Sequence, residues 1–207
     1  MLVFNSIWSH AAMPLSRRAS DYSHLRHLTE ALLARVSGNG WMASVAHHFG
    51  WQAALRIDRC SLTLPTLYPS LPPLRIAFAS DFHAGPTTHP ETITKACQTL
   101  SELQPDIVLL GGDFVSLHAR YIEPVAEALA SIPTRFGRYA VLGNHDLWAD
   151  DAPIIQRLTQ ANIQVLINQS QHLTPAYEHI WICGLDDPTS GRPDAFGRVY
   201  SQPQQEH

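Results

Sequence analysis

The chain has 207 residues, 45% of them apolar and 15% charged, which is the composition of a globular protein long enough to bury a core. Its formal net charge of −4 argues against a nucleic-acid-binding protein that neutralises many phosphates. The three cysteines, Cys60, Cys97 and Cys183, are odd in number and far apart, so neither a disulfide framework nor a Cys-x-x-Cys zinc site is predicted. Buried free thiols in a reducing compartment are expected instead.

The sequence contains no apolar run of about eighteen residues, the length that a membrane-spanning helix needs. Near its first residue there is no basic segment followed by an apolar core, so a secretory signal is not predicted. A cytoplasmic location is therefore expected, and association with a membrane surface is the open alternative.

Residues 1–55 are predicted to form a helical extension that precedes the main domain. Leucines recur at helical spacing over residues 22–36, residues 37–40 interrupt the pattern, and a second helical pattern covers residues 41–55. One interpretation is a helical hairpin packed on the main domain. The other is an element that docks on a membrane surface or on a partner protein, since tryptophan and basic residues suit such an interface.

Residues 56–207 are predicted to form the main domain, an α/β fold with a largely parallel sheet. An edge strand is expected over residues 56–67, followed by a stiff proline-rich connector. Apolar strand patterns and helical patterns then alternate, which is typical of βαβ units. Strands are predicted at 75–80, 106–111, 138–142, 163–167 and 180–184, and helices at 90–103, 119–131 and 152–161.

Polar residues follow three of these predicted strands. Residues 81–83 read Asp-Phe-His, residues 111–113 read Gly-Gly-Asp, and residues 143–146 read Gly-Asn-His-Asp. Residues i and i+2 lie on one face of an extended chain, so Asp81 and His83 can reach one ion. Because ligands bind beyond the carboxyl ends of parallel strands, the three motifs together predict one metal site.

Each motif alone also fits a loop residue that caps a helix or satisfies a turn. Three motifs at three consecutive strand ends favour metal binding over that interpretation. Aspartate, histidine and asparagine without thiolate suit Mn²⁺, Fe or Zn²⁺. A central carboxylate can bridge two cations about 3.5–4 Å apart, the spacing of two-metal hydrolytic sites.

The three motifs together resemble the signature of the calcineurin-like metallophosphoesterase superfamily. Residues 109–115 and 139–146 are similar to its bacterial membrane-associated branch, which includes phosphodiesterases similar to UDP-2,3-diacylglucosamine pyrophosphatases. The resemblance runs from about Arg56 to Asp187. It implies a four-layer α/β/β/α sandwich with a dinuclear metal site at the strand ends.

The resemblance also assigns metal binding to four residues of this chain. It places Asp81 and His83 on the first of two divalent cations (Mn, Fe or Zn), Asp113 between both cations, and Asn144 on the second. Two catalytic residues follow directly after these ligands in the sequence.

The implied catalytic residues are His145 and Asp146. His145 is expected to face the substrate, where it protonates the leaving oxygen or stabilises phosphoryl charge, and Asp146 is expected to orient that imidazole. The implied function is a metal-dependent phosphoesterase that hydrolyses a phosphodiester or pyrophosphate through metal-activated hydroxide at the dinuclear site. Its substrate is expected to be a phosphorylated small molecule or a lipid-linked compound, with peripheral membrane contact through the N-terminal helices and no nucleic-acid partner.

The sequence departs from the family pattern, which continues with a lone histidine and a Gly-His-x-His segment. These would supply three further imidazole ligands, but the later histidines of this chain, His172, His179 and His207, lack that context. The domain is therefore expected to be truncated, with its second sheet incomplete at the C-terminus. Such a chain is expected to hold one metal ion tightly and to have little activity, and the alternative function is an inactive remnant that acts as a binding module.

Overall fold

The structure is a computed structural model of the chain. It describes residues 29, 32–33, 35–38, 40–52, 54–63, 72–173, 177 and 179–195. Much of the first predicted helix, over residues 22–36, and all of residues 196–207 lie outside the described part of the chain.

Six strands of the described chain form two sheets. The first sheet is parallel with the order β1-β2-β3-β4, and the second pairs β5 with β6 in antiparallel fashion. The strands are β1 (Ile76–Ala79), β2 (Ile107–Leu110), β3 (Arg138–Ala140), β4 (Gln164–Val165), β5 (Gln169–His172) and β6 (Trp181–Gly184). The α/β class with a parallel sheet and connecting helices is therefore confirmed.

Helices connect the strands of the parallel sheet, and local sequence signals determine where they begin. Pro90 starts the first connecting helix, where its missing N–H costs nothing, and the side chain of Asp150 caps another by accepting a hydrogen bond from the Ala152 N–H. The helices are α1 (Trp41–His48), α2 (Pro90–Glu102), α3 (Ile122–Ala130), α4 (Asn144–Ala149) and α5 (Asp151–Gln160), and a 3₁₀ turn (Ala119–Tyr121) precedes α3.

Strand β2 lies at the centre of the packing, because both of its faces are covered. Val108 and Leu110 contribute to a core shared with the helices. Ile107, which points to the opposite face, belongs to a second core with Tyr139 and Leu173, next to the second sheet. The described residues thus form a helical layer, the parallel sheet and a part of a second sheet layer.

Strand β1 lies at the edge of the parallel sheet and is covered on one face only. Ala77 is buried against the helices, whereas Ile76 and Phe78 on the other face are 52% and 66% exposed. The second core therefore covers β2 and β3 but leaves this edge open.

Two local expectations are wrong. Residues 56–63 form no strand, because no neighbouring strand in the described chain offers them a ladder of hydrogen bonds, and residues 64–67 lie outside the described residues. Only Cys97 is a buried thiol, where burial raises its pKa to about 11. Cys60, in that unpaired segment, and Cys183, on β6, are both exposed.

The second predicted N-terminal helix is shorter than the pattern over residues 41–55. Helix α1 ends at His48, and Gly50 follows with φ of 78°, a left-handed conformation that commonly ends helices. No helix in the described part of the chain has the length and apolar composition needed to cross a bilayer. A domain boundary at residue 55 remains a prediction.

Two isoleucines that are paired on adjacent strands should contribute different amounts to the free energy of unfolding. Ile107 is fully buried, so Ile107→Ala should lower the free energy of unfolding by about 2–5 kcal/mol. Its register partner Ile76 is largely exposed, so Ile76→Ala should cost less than about 1 kcal/mol. Urea denaturation of both variants measures the difference. Equal losses would contradict the second core.

Candidate metal centre

The loops that follow β1 and β2 are fixed to each other by backbone hydrogen bonds beyond the ends of the strands. The N–H groups of Asp81 and His83 donate to the carbonyl oxygens of Gly112 and Asp113 at 3.0 and 2.9 Å. The parallel pairing of the strands therefore continues into both loops. As a result, the polar residues at the two strand ends occupy fixed relative positions.

Three of the predicted metal ligands have an unusual backbone conformation. Asp81, His83 and Asp113 have φ values of 59°, 44° and 55°, in the left-handed region that residues with a side chain rarely adopt. Each such residue costs on the order of 1–3 kcal/mol, and such residues cluster at functional sites. The surrounding hydrogen bonds and packing must therefore hold these three residues in place.

The loop after β3 approaches the loop after β2 so closely that two glycines are required. A Cβ atom on Gly112, whose φ is 89°, would lie 2.3 Å from the Gly143 nitrogen. A Cβ atom on Gly143 would lie 2.2 Å from Oδ1 of Asp113. Both distances are far shorter than any real contact of a Cβ atom, so the glycines allow the third motif to meet the second.

The side chains that converge at these strand ends fit a divalent cation. Nε2 of His83 lies 3.6 Å from Oδ1 of Asp81 and 3.8 Å from Oδ2 of Asp113. Two atoms that bind one ion at 2.0–2.2 Å are at most about 4.4 Å apart, so both pairs can bind a common ion. Ligand atoms of His83, Asp113 and His145 also lie within 4.8 Å of one another. The set of imidazole and carboxylate donors suits Mn²⁺, Fe or Zn²⁺.

Asp113 connects the first motif with the third. Its Oδ2 faces His83, while its Oδ1 accepts a hydrogen bond of 3.0 Å from the backbone N–H of His145. Asn144 is the first residue of α4 and is half-buried directly after Gly143. The structure therefore brings Asp81, His83, Asp113 and His145 together. Asn144 directly precedes His145 in the sequence.

The Asp146 carboxylate is buried and bonded to backbone. Its Oδ1 accepts from the N–H groups of Phe114 and Val115 at 2.9 and 3.2 Å, and its Oδ2 accepts from Gly143 at 3.1 Å. Burial raises the pKa of Asp146 to about 7, and the backbone donors oppose that rise. These contacts differ from the expected pairing with the His145 ring, because the carboxylate is occupied by backbone N–H groups that would otherwise be buried without an acceptor.

The His145 ring lies between two other rings and next to a carbonyl oxygen. The ring of His83 is 4.6 Å away and that of Trp148 is 4.8 Å away, both edge to face. Nδ1 of His145 lies 3.4 Å from the carbonyl oxygen of Ser116, whose hydroxyl donates to the carbonyl oxygen of His83. A carbonyl oxygen only accepts, so this contact favours a proton on Nδ1 and leaves Nε2 outside the contact.

Ser116 and Trp148 are site residues that the sequence analysis missed. Trp148 follows His145 by three residues, and side chains three residues apart are neighbours on a helix. The contact could therefore have been inferred from the sequence if α4 had been predicted. Ser116 contacts the His145 ring through its backbone carbonyl oxygen. Because every residue has such an oxygen, the sequence could not reveal this contact.

Other histidines lie outside this group. His172 packs against Trp181 on the second sheet, and neither His172 nor His179 belongs to a ligand group among the described residues. A second group combines His47, His89 and Glu91. Nε2 of His47 lies 3.0 Å from the Glu91 carboxylate and its ring stacks on His89, an arrangement that ties α1 to the start of α2.

Comparison with known proteins decides the family. The model of the calcineurin-like phosphoesterases matches residues 74–186, which is more than half of the chain and includes all three motifs. The chain belongs to the calcineurin-like phosphoesterase family. The resemblance that the motifs predicted is thereby confirmed.

Several curated relatives are similar to this calcineurin-like phosphoesterase. A transmembrane protein with metallophosphoesterase domain from Danio rerio is 33% identical over 57% of the chain and 28% of the relative. An uncharacterized metallophosphoesterase from Aquifex aeolicus is 26% identical over 67% of the chain and 51% of the relative. UDP-2,3-diacylglucosamine pyrophosphatase LpxG from Chlamydia trachomatis is 36% identical over 44% of the chain and 28% of the relative. The chain thus spans between about a quarter and a half of these relatives' lengths.

The contacts of Asp146 predict that an isosteric change destabilises the fold. Asp146→Asn replaces one accepting oxygen with a donor that faces a backbone N–H, so it should lower the free energy of unfolding by about 1–3 kcal/mol. Asp187→Asn is the control, because Oδ1 of Asp187 alone accepts from Thr189 and Ser190 and an amide oxygen replaces it. Urea denaturation compares the two variants. A loss no larger than that of Asp187→Asn would contradict the structural role of Asp146.

Proposed function

We propose that this protein is a metal-dependent phosphoesterase that hydrolyses a phosphodiester or a pyrophosphate. The observation that supports the proposal is the convergence of Asp81, His83, Asp113 and His145 at three neighbouring strand ends. Backbone strain at the first three residues accompanies that convergence. Imidazole and carboxylate groups held in this way serve a ligand or a reaction, because neither fold stability nor solubility requires them there.

We further propose a dinuclear site in which Asp113 bridges two cations of Mn, Fe or Zn. Asp81 and His83 hold the first cation, and Asn144 holds the second. The two oxygens of Asp113 support this assignment, because one faces His83 and the other points to the start of α4, where Asn144 lies. Divalent cations bound there would polarise the phosphoryl group and lower the pKa of a bound water.

The residues of the chain then perform the remaining tasks. The His145 ring, fixed by the Ser116 carbonyl oxygen and flanked by Trp148, acts as the general acid in its imidazolium form. Its Nδ1–H stays on the Ser116 carbonyl oxygen while the Nε2 proton passes to the leaving oxygen, which leaves a neutral imidazole. Asp146 acts on His145 through the backbone, since it holds the loops that position both His145 and Asp113. In this proposal Asp146 is a positioning residue and His145 is the proton donor.

The proposed substrate is a phosphorylated small molecule or a lipid-linked pyrophosphate. Similarity to two relatives named UDP-2,3-diacylglucosamine pyrophosphatase LpxG supports the lipid-linked compound. Such a substrate would lie at a membrane surface, which agrees with the proposed peripheral membrane contact of the N-terminal helices.

A second candidate function is metal binding without turnover. Among the described residues, only His83 and His145 contribute imidazoles to the group around Asp113, and the described His172 and His179 lie elsewhere. A single cation held by His83 and the two aspartates would not contact both the attacking and the leaving oxygen. This candidate predicts a metal-loaded chain that leaves a phosphodiester intact.

Turnover of a chromogenic phosphodiester in Mn²⁺ or Zn²⁺ distinguishes the two candidates. The phosphoesterase should exceed its own Asp113→Asn variant in metal-dependent turnover. If the chain contains stoichiometric metal but is no faster than that variant, binding without turnover replaces the proposed function.

Asp113 is expected to be the most sensitive ligand, because a bridging carboxylate neutralises two cations. Asp113→Asn retains the oxygen that accepts from the His145 N–H, so the loop should stay folded. It should nevertheless remove more bound metal than Asn144→Ala does. Elemental analysis of both purified variants measures this, and equal metal contents would count against a bridging Asp113.

His145→Ala should lower kcat by roughly 10²–10⁴-fold, the usual effect of losing a general acid. The metal content should stay unchanged, because Asp81, His83 and Asp113 retain their positions. Elemental analysis beside the turnover assay separates the two roles of the imidazole. If metal is lost together with activity, His145 is a ligand.

A further inference from the structure

Large apolar side chains that contact solvent are concentrated in one short part of the chain. Fifteen large apolar residues of the described chain are exposed, and eight of them lie between residues 32 and 51. We call the exposed apolar side chains of residues 32–51 the N-terminal apolar surface. Contiguous exposed apolar surface on a protein commonly marks an interaction site.

Helix α1 exposes large apolar side chains on the side that faces away from the body of the protein. Ala43 is buried and His47 is half-buried, so this side of the helix faces the body of the protein. Met42, Val45 and Phe49 recur at positions i, i+3 and i+7 on the opposite side, where all three are exposed. The apolar face of a helix normally packs against another apolar surface, so an apolar face that is exposed to solvent is available for a binding partner.

Aromatic rings form the most exposed part of this surface. Trp51 is 77% exposed and Phe49 is 66% exposed, and their rings stack on each other at 5.7 Å. Trp41, at the start of α1, is also exposed and donates its Nε1–H to the carbonyl oxygen of Val36. Tryptophan is the residue type that prefers the boundary between water and hydrocarbon.

Polar contacts of His47 in α1, and of Gln52 four residues after the helix, hold this segment to the body of the protein, so the apolar surface is not needed for docking α1. Gln52 donates to the carbonyl oxygen of Thr87, accepts from the N–H of His89, and its own carbonyl oxygen accepts from the Thr92 hydroxyl. His47 adds its contact with Glu91. The segment that Gln52 binds begins at Thr87, four residues after His83 in the sequence.

The charge of the sequence changes sign where the parallel sheet begins. The residues before β1 contain seven arginines and three acidic residues, whereas the rest of the chain contains seven basic and fifteen acidic residues. Between residues 31 and 57 there is no acidic residue at all. Net positive charge in the part of the sequence that contains the exposed apolar side chains is complementary to an anionic lipid surface, to which each basic residue adds attraction.

We propose that the N-terminal apolar surface docks this protein on an anionic lipid bilayer. Trp41, Phe49 and Trp51 enter the interfacial layer, and the exposed Arg35 contacts a lipid phosphate. A bilayer requires no complementary shape, which agrees with a surface of eight exposed large apolar side chains in a stretch without acidic residues. The proposal rests on the proposed function and deepens it, because a protein docked on a bilayer would meet a lipid-linked pyrophosphate at that surface.

Vesicle flotation of the full chain tests the proposal. The probe is a vesicle of phosphatidylcholine with about one third phosphatidylglycerol, compared with phosphatidylcholine alone. The wild-type chain should float with the anionic vesicles, bind the neutral vesicles less, and dissociate as salt is added. Failure to float with anionic vesicles at low salt would overturn the proposal.

A pair of matched variants locates the contact. Phe49→Ser combined with Trp51→Ser should reduce partitioning at least about tenfold, because two large side chains no longer enter the interface. Trp181→Ser is the control, since Trp181 is an exposed tryptophan on β6 and lies outside the N-terminal apolar surface. Equal loss in both variants would overturn the assignment. Circular dichroism confirms that both variants remain folded.

Sedimentation equilibrium without lipid separates the bilayer from a protein partner. The chain should be monomeric, and the double variant should sediment like the wild type. A dimer that the double variant dissociates would overturn the proposal and identify the surface as a contact between copies of the chain.

Metal content and diester turnover separate this proposal from the proposed function. In the double variant both should equal the wild-type values with a soluble diester, because neither side chain belongs to the metal centre. Loss of flotation with unchanged metal content therefore supports the docking surface even if the diester is not hydrolysed.

Discussion

The buried Asp146 carboxylate accepts backbone hydrogen bonds from two loops that follow different strands. Those loops contain Asp113 on one side and Gly143 on the other, so a single side chain sets the distance between the second and third motifs. Its burial carries a desolvation penalty that raises its pKa, and three backbone donors offset that penalty. The candidate site depends on this interaction, because the ligands themselves occupy a strained backbone that local sequence preference does not favour.

The parallel sheet supplies the rigidity that this arrangement needs. Strand β2 is buried on both faces, by the helices on one side and by the second core on the other. A strand fixed in this way delivers Asp113 to a defined position, and the hydrogen bonds that continue past its end fix Asp81 and His83 as well. Stability of the fold and geometry of the site are therefore coupled, since weakening either core would loosen the loops that contain the ligands.

Much of this organisation could be predicted from the sequence, because strong patterns encode it. The uninterrupted apolar run of β2 indicates a strand covered on both faces, and the motifs after β1, β2 and β3 indicate where ligands gather. The partners of Asp146 could not be predicted, because a carboxylate beside a histidine fits a ring contact as well as backbone contacts. Helix α4 was missed since six residues are too few for a helical period. Residues 56–63 were mistaken for a strand because alternation does not reveal whether a pairing strand exists.

The contrast among the three thiols has a practical consequence for spectroscopy. Cys97 is buried with a raised pKa, so almost none of it is in the reactive thiolate form at neutral pH, whereas Cys60 and Cys183 are accessible. A maleimide dye should therefore label the segment before the parallel sheet and strand β6 of the second sheet without entering the core. Resonance energy transfer between two such labels would report how the N-terminal part of the chain is oriented against the rest, in solution and without any engineered cysteine.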